Sequence, residues 1–185
     1  MDMEIIGAIV GLLYLWLEYR ASIFLWIAGM IMPAIYVVVF YEAGLYADTA
    51  INVYYLAAGM YGWWMWLRGR SSSEEQPIVH TPLRQAPALA ATFLGSFLLI
   101  GILLGYTDSD VVWWDSLTTA LSIVAMWMLA RKQAEQWLVW IVADAVYVAL
   151  YLYKGLEATA VLYALYTVIA IFGYRKWLKE IKRTI

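Results

Sequence analysis

Residues 16–26 read Trp16-Leu17-Glu18-Tyr19-Arg20-Ala21-Ser22-Ile23-Phe24-Leu25-Trp26, and residues 127–137 read Trp127-Met128-Leu129-Ala130-Arg131-Lys132-Gln133-Ala134-Glu135-Gln136-Trp137. Each stretch ends an apolar run on an Arg and reopens on a Trp six residues later, and the two lie 111 residues apart. Sliding the chain against itself by that offset, without gaps, extends the match from Trp16 to Trp66. Twelve identities fall in those 51 positions, among them Ala34/Ala145, Tyr36/Tyr147, Gly44/Gly155, Leu45/Leu156, Ala47/Ala158, Tyr55/Tyr166, Gly62/Gly173 and Trp66/Trp177. Phe40/Tyr151, Tyr61/Phe172 and Trp63/Tyr174 are aromatic on both sides. Shared hydrophobic bias matches Leu and Val easily. It matches Trp, Gly and end-of-run Arg far less easily, so the chain reads as a duplicated unit.

The surrounding composition says where such a unit lives. Of 185 residues, 65% are hydrophobic and 14% charged, whereas a soluble domain is about half apolar and about a quarter charged. The mean hydropathy is +0.72. A soluble enzyme, a disordered chain and a nucleic-acid binder are all disfavoured, and a net charge of −2 with a pI near 5.3 offers no basic footprint for phosphates. The chain has 0 Cys, which removes disulfides, thiolate catalysis and Cys-based metal sites. Asp2 and Glu4 stand where a signal peptide would carry basic residues, so the first apolar segment is expected to remain as a membrane helix.

A spanning helix needs about 20 mostly apolar residues. Seven runs qualify, near 3–19, 22–41, 45–67, 86–106, 115–130, 135–153 and 156–177. The predicted class is an all-α integral membrane protein. Residues 1–67 form a first three-helix repeat, 68–110 a cytoplasmic loop and a linking fourth helix, and 111–185 a second repeat with a basic tail. The stretch Ser71-Ser72-Ser73-Glu74-Glu75-Gln76-Pro77 reads as a flexible loop. With the N-terminus outside, 11 of the 12 Lys and Arg fall on the cytoplasmic side and Lys154 alone falls outside. The positive-inside rule therefore predicts an outside N-terminus and a cytoplasmic C-terminus. Two three-helix units joined directly would be antiparallel; the unmatched fourth crossing restores the same orientation. The expected arrangement is 3+1+3 with parallel repeats, as in SWEET-type transporters, whose substrate sites lie near the midplane at the repeat interface.

Aromatic residues make up 17% of the chain, with 11 Trp and 15 Tyr, too many for interfacial belts alone. Registered by the repeat, Trp137, Trp140, Asp144, Tyr147 and Tyr151 form one stripe of the sixth helix, opposite in the repeat to Trp26, Gly29, Pro33, Tyr36 and Phe40 of the second. The third helix carries Asp48, Asn52, Tyr55, Gly59, Gly62 and Trp66, matched in the seventh by Thr159, Tyr163, Tyr166, Ala170, Gly173 and Trp177. Asp144 lies mid-span, where a carboxylate costs roughly 2.5–3.5 kcal/mol on insertion scales. It admits two readings: a protonated or Tyr-bonded structural group, or a cation- or hydroxyl-binding group facing a wet cavity. Tyr147 and Trp140 share its face and can wall a flat ring. Asn52, the only Asn, suits a heterocyclic amide or a sugar hydroxyl, and equally an ordinary interhelical hydrogen bond. Pro33 kinks the second helix and is the candidate hinge. Trp63, Trp64, Trp66, Trp113 and Trp114 read as interfacial anchors, and His80, in the loop, reads as incidental.

No G-x-x-x-x-G-K-[ST] or H-E-x-x-H is present, a single central Asp is too few for a two-carboxylate protease, and the last span lacks a retinal-binding Lys. No enzyme, cofactor or metal is expected, and no nucleic-acid partner; a homo-oligomer is left open. The stretch Gly44-Leu45-Tyr46-Ala47-Asp48-Thr49-Ala50-Ile51-Asn52-Val53-Tyr54-Tyr55 with Tyr61-Gly62-Trp63-Trp64-Met65-Trp66 resembles the bacterial PnuC family of vitamin transporters. So do Trp137-Leu138-Val139-Trp140, Tyr147, Tyr151, Lys154-Gly155-Leu156 and Gly173-Tyr174. The resemblance covers nearly the whole chain. It implies facilitated diffusion of nicotinamide riboside, or of thiamine or another vitamin, across the bacterial inner membrane, with trapping by cytosolic phosphorylation. It implies Asn52, Tyr55, Trp137, Trp140, Tyr147 and Tyr166 along the substrate path. Asp144, where the resembled pattern commonly has Asn, and Tyr163, on the Tyr166 stripe, complete the expected binding set. The two three-helix units would rock about the central site. From another class, a membrane protein that binds or senses a vitamin without moving it is the alternative.

Overall fold

The structure, a computed structural model, describes residues 2–42, 46–71, 76–107 and 110–184. The Gly44/Gly155 and Leu45/Leu156 matches, loop residues 72–75, and the side chains of Phe40 and Asp48 lie outside the described residues. Among the described residues the chain forms seven α-helices: α1 (Asp2–Tyr19), α2 (Phe24–Glu42), α3 (Tyr46–Ser71), α4 (Ala86–Leu104), α5 (Val112–Ala130), α6 (Gln136–Tyr153) and α7 (Glu157–Thr184). Each coincides with one of the seven predicted runs. Helix α7 continues well past residue 177. Its Arg175, Lys176, Lys179 and Lys182 suit a helix C-terminus, and Lys176 pairs with Glu180 one turn on at 2.8 Å. Four segments are long and apolar enough to cross a bilayer, Leu83–Leu104, Val112–Ala130, Gln136–Tyr153 and Glu157–Lys182, with shorter apolar stretches at Ile9–Tyr19 and Phe24–Val39.

The chain divides into two compact units, Met1–Gln76 and Pro77–Ile185. In the first, α2 packs on both α1 and α3; in the second, α4, α5, α6 and α7 pack in sequence. Short connections make consecutive helices antiparallel neighbours. Helix α5 sits between α4 and α6 and is the most buried: Ser116, Thr118, Ala120, Ser122 and Ala125 are all inside. Small side chains let helices approach closely where apolar burial gives no drive between them, because lipid is as apolar as Leu. The hydroxyls are satisfied within the helix, Ser116 Oγ donating to the Val112 carbonyl at 2.6 Å and Ser122 Oγ to that of Thr118 at 2.9 Å. Helix α4 is the opposite case. It buries only Gly101 among the described residues, and Leu94, Leu98, Leu99, Ile102 and Leu103 are each more than half exposed, a surface suited to acyl chains.

Both units are built on the same local structure, 111 residues apart. Helix α1 ends with Ala21 at φ 49° and helix α5 with Lys132 at φ 51°, each a non-glycine in the left-handed region, a conformation costing about 1 kcal/mol. The Ala21 and Lys132 N–H groups donate to Glu18 and Leu129 carbonyls at 2.9 Å. The next N–H groups, of Ser22 and Gln133, donate to Leu17 and Met128 at 2.9 and 3.0 Å. These bonds satisfy orphan carbonyls at the helix end. Arg20 and Arg131 lie over the Trp16 and Trp127 rings, 5.1 and 4.1 Å from their centroids.

From these turns the chain enters a second shared element. Trp26 meets Trp66 edge to face, with centroids 5.7 Å apart and planes at 87°. Trp137 meets Trp177 at the same 5.7 Å and 87°. All four indoles are at most 3% exposed. Glycine makes the contact possible: a β-carbon on Gly62 would overlap the Trp26 ring, and one on Gly173 would lie 2.7 Å from the Trp137 ring. Trp66 thus differs from the anchor role its span-end position predicts. It is drawn inside because Gly62, one turn earlier on the same face, opens the space for Trp26. Trp63, Trp64, Trp113 and Trp114 do stand exposed, and Arg68 covers Trp64 at 3.8 Å.

The second unit carries an additional strap. The Val79 N–H donates to the Lys132 carbonyl at 3.0 Å and the Val79 carbonyl accepts from the Ala134 N–H at 2.9 Å, an isolated bridge between Val79 and Gln133. Gln133 Nε2 donates to Gln85 Oε1 at 2.7 Å. His80 Nδ1 lies 2.6 Å from Glu135 Oε1, while the Thr81 N–H and hydroxyl donate to Glu135 Oε2 at 2.7 and 2.8 Å. His80, without a role in the sequence, is part of this clamp on the α5–α6 turn. At another turn, Lys154 Nζ donates to Asp110 Oδ1 at 2.9 Å, joining the segment before α5 to the α6–α7 connection. That pair is exposed, and pairs of this kind contribute little.

Two outcomes follow. Gly62→Val and Gly173→Val are expected to lower thermal stability in detergent by the equivalent of about 1–3 kcal/mol each, the usual cost of overpacking. Gly95→Val, where nothing lies within 4 Å of a β-carbon, is expected to stay close to wild type; melting of the three variants checks this. For the strap, burial alone would raise the Glu135 carboxyl, but the bonds from His80 and Thr81 outweigh it and hold it below its ordinary 4.5. A depressed carboxyl stabilises fully above its ordinary value and loses that contribution as pH falls through the folded value. Protection of the Val79 and Ala134 amides against hydrogen exchange, corrected for intrinsic rate, should therefore hold from neutral pH down to about 4.5 and fall below it. Unchanged protection at lower pH would show that Glu135 does not hold the strap.

Candidate functional site

The site begins where the α6 stripe leaves the tryptophan lock. Spacings of three and four place Trp137, Trp140, Asp144, Tyr147 and Tyr151 along one face of α6. Helix α7, packed along α6, brings Tyr163 and Tyr166 to the same level. The Tyr147 and Tyr151 rings stack at 5.8 Å with planes 16° apart. Tyr163 lies against both, at 4.7 Å from Tyr147 and 5.2 Å from Tyr151, and Tyr166 continues the series 5.3 Å beyond Tyr163. Four phenol rings thus form a continuous wall between two helices.

Asp144 stands one turn before Tyr147 and is 6% exposed. Among the described residues no hydrogen bond or cation neutralises it. A buried carboxylate without a partner is costly in a low-dielectric setting, and rings present their positive edges or hydroxyls to an anion more readily than their faces. The arrangement is thus suited to a guest that is both cationic and flat: the carboxylate attracts its charge and the rings hold its faces.

The structure brings Asp144, Tyr147, Tyr163 and Tyr166 together. Trp137 lies farther along α6, its ring fully enclosed against Trp177, and its Nε1 has no hydrogen-bond partner. Trp140 is half-buried, and its Nε1 is likewise buried without a partner, a donor available to a polar guest. Asn52 and Tyr55 belong to the first unit, on α3. Asn52 is 9% exposed, and Tyr55 lies at 5.6 Å and 59° from Tyr54. Pro33 lies within α2, where it removes the N–H that would bond to the Gly29 carbonyl. By the repeat, Pro33 stands at the position of Asp144, and Asn52 at that of Tyr163. Positions 111 residues apart in the two units therefore carry different chemistry here.

Two residues outside the sequence-predicted binding set belong to this wall. Tyr151 was on the stripe and its ring touches both Tyr147 and Tyr163. Thr118, on buried α5, lies within hydrogen-bonding reach of the Tyr147 hydroxyl. Its only signal is membership of the Ser116, Thr118 and Ser122 series, hydroxyls spaced along an otherwise apolar helix.

A profile of the family described as nicotinamide mononucleotide transporter matches residues 2–179. The chain belongs to this family. The nicotinamide riboside transporter PnuC of Escherichia coli strain K12 is 28% identical over 203 residues, covering 96% of this chain and 85% of that protein. The riboflavin/roseoflavin transporter RibM of Streptomyces davaonensis is 26% identical over 178 residues, covering 94% of this chain and 83% of that protein. A crystal structure of the vitamin B3 transporter PnuC matches with a TM-score of 0.71 at 24% identity, over 95% of this chain and 80% of that one. That likeness extends the family membership to the fold. The resemblance to the PnuC family read from the sequence is therefore correct. The chain is a multi-pass membrane protein of a transporter family.

Proposed function

We propose that this chain takes up a small cationic aromatic vitamin by facilitated diffusion, nicotinamide riboside first and thiamine second, across the bacterial inner membrane. One observation carries the reading: a buried carboxylate, Asp144, with no neutralising partner among the described residues, beside a wall of four tyrosine rings. The pyridinium of nicotinamide riboside and the thiazolium of thiamine are both flat cations, the chemistry such a wall suits. The names of the E. coli and Streptomyces relatives support a vitamin as the substrate. In the same proposal Asn52, Tyr55, Trp137 and Trp140 are further substrate residues and Pro33 is the hinge of α2; the unpartnered Nε1 of half-buried Trp140 supports a donor role for that residue.

In this reading all seven helices cross the bilayer in the 3+1+3 order with parallel repeats, the N-terminus outside and the basic C-terminal end of α7 in the cytoplasm. Phosphorylation in the cytosol consumes the free vitamin, so a passive carrier accumulates it without a coupled ion.

Counterflow in liposomes tests the reading. Vesicles preloaded with unlabelled nicotinamide riboside or thiamine are expected to draw in the labelled vitamin well above protein-free vesicles. Tight binding without exchange would instead make the chain a vitamin-binding or sensing protein. Neither binding nor exchange with either vitamin would refute the substrate assignment.

A further inference from the structure

Helices α1, α3 and α5 finish on the same device. A Trp stands one turn before an Arg, and the guanidinium lies over the indole ring. Arg20 lies 5.1 Å from the Trp16 centroid, Arg68 3.8 Å from that of Trp64 and Arg131 4.1 Å from that of Trp127. Among the described residues no carboxylate pairs with any of the three arginines, and the Arg131 Nε is buried without a hydrogen-bond partner. We propose that these three stacks bind the headgroup phosphate of anionic phospholipids, one lipid to each helix end.

Charge and ring each have an ordinary explanation. A cation suits a helix C-terminus, and Trp suits the boundary between acyl chains and water. Neither accounts for the stacking. A guanidinium is weakly hydrated and lies flat on a ring at little cost, while its N–H groups stay free in its own plane. That edge matches two oxygens of one phosphate. What lies before the stack on the helix favours a lipid over a soluble anion. On α1, Ile9, Leu13 and Trp16 are 60%, 49% and 51% exposed, and steps of four and three carry that stripe to exposed Arg20. On α3, Val53, Met60 and Trp64 are 50%, 56% and 45% exposed and lead to exposed Arg68 in the same way. Each stripe offers apolar surface for an acyl chain and ends in a cation at headgroup height. The third stack, Trp127 and Arg131, is half-buried.

The repeat separates stacking from charge alone. Trp16 and Arg20 recur as Trp127 and Arg131, but at the positions of Trp64 and Arg68 helix α7 carries Arg175 and Lys179. Both are exposed, and among the described residues neither lies over a ring. The chain thus contains its own control, cations at a helix end without an indole beneath them. In the seven-span topology proposed above, odd-numbered helices run the same way, so all three stacks fall in the cytoplasmic leaflet. The negative surface of that leaflet attracts Lys and Arg at short range.

The experiment is electron spin resonance of the full chain in phosphatidylcholine vesicles, with the spin label on phosphatidylglycerol or on phosphatidylcholine. The spectrum separates lipid held at the protein from bulk lipid, and the two labels together give a preference ratio. The wild type is expected to prefer phosphatidylglycerol at least about threefold at low salt. Arg20→Gln, Arg68→Gln and Arg131→Gln together are expected to remove most of that preference. Arg84→Gln, Arg175→Gln and Lys179→Gln together delete as many cations and are expected to keep most of it. Trp16→Leu, Trp64→Leu and Trp127→Leu leave the charges in place and are expected to lower the ratio about twofold. Inorganic phosphate should lower it no more than chloride of equal ionic strength. If the triple arginine variant does not fold, Arg68→Gln against Arg175→Gln gives the same comparison at one helix end. No preference in the wild type overturns the proposal, as does an equal loss in the stacked and unstacked variants or an unchanged ratio in the tryptophan variant. Displacement by phosphate beyond the chloride effect overturns it in favour of a soluble anion. None of these results bears on vitamin uptake, which counterflow tests separately.

Discussion

Two indole rings meeting edge to face over a glycine are the contact on which each unit of this protein depends. In a bilayer the apolar surface of a helix gains little by leaving lipid for protein, so helices are held by close fit and by specific contacts. The Trp26–Trp66 and Trp137–Trp177 pairs supply both. A large ring fills the space that glycine opens, and a second ring offers its edge to the face of the first. The contact fixes α2 against α3 and α6 against α7. It also fixes where along those helices the later stripe residues face one another. Tyr147 and Tyr163 meet on the same two helices that Trp137 and Gly173 bring close together.

The turn before each lock serves the same end. Ala21 and Lys132 adopt a strained left-handed conformation so that the helix before the turn can end and the next can start on its Trp. Beyond the turn the two units diverge. The second has a strap through Val79, Thr81 and Glu135, where the first has Phe24 at the Glu135 position, and it has Asp144 where the first has Pro33. The shared parts carry packing, and the parts that differ carry charge and hydrogen bonding. That division is what a duplicated scaffold with one specialised copy would show.

Much of this was legible in the sequence, for physical reasons that can be named. Seven helices follow from seven apolar runs because a helix is the simplest way to satisfy backbone groups in lipid. The repeat was legible because Trp, Gly and Arg at fixed offsets resist substitution by other apolar residues. The aromatic stripe of α6 and its partner on α7 followed from helical spacing. What spacing cannot reveal is which side chains meet across elements. Trp66 read as an anchor because its neighbours are anchors, and only the fit against Gly62 and Trp26 turns it inward. His80 read as incidental because Glu135 is 55 residues away in sequence. Thr118 was hidden in a helix whose polar residues bond to their own backbone. Asp144 was legible as a mid-span acid, and Tyr163 and Tyr166 as a stripe of α7; that the Tyr151 ring closes against Tyr163 was not.

The central claim is that one tryptophan contact, used twice, holds both units. A double-mutant cycle measures it directly: Trp137→Leu and Trp177→Leu, singly and together, with unfolding followed in detergent, and the same for Trp26→Leu and Trp66→Leu. An edge-to-face pair contributes about 0.5–1.5 kcal/mol beyond burial, and the account predicts a coupling in that range for both pairs and of similar size. Additive effects in either pair, with no coupling beyond error, would contradict it.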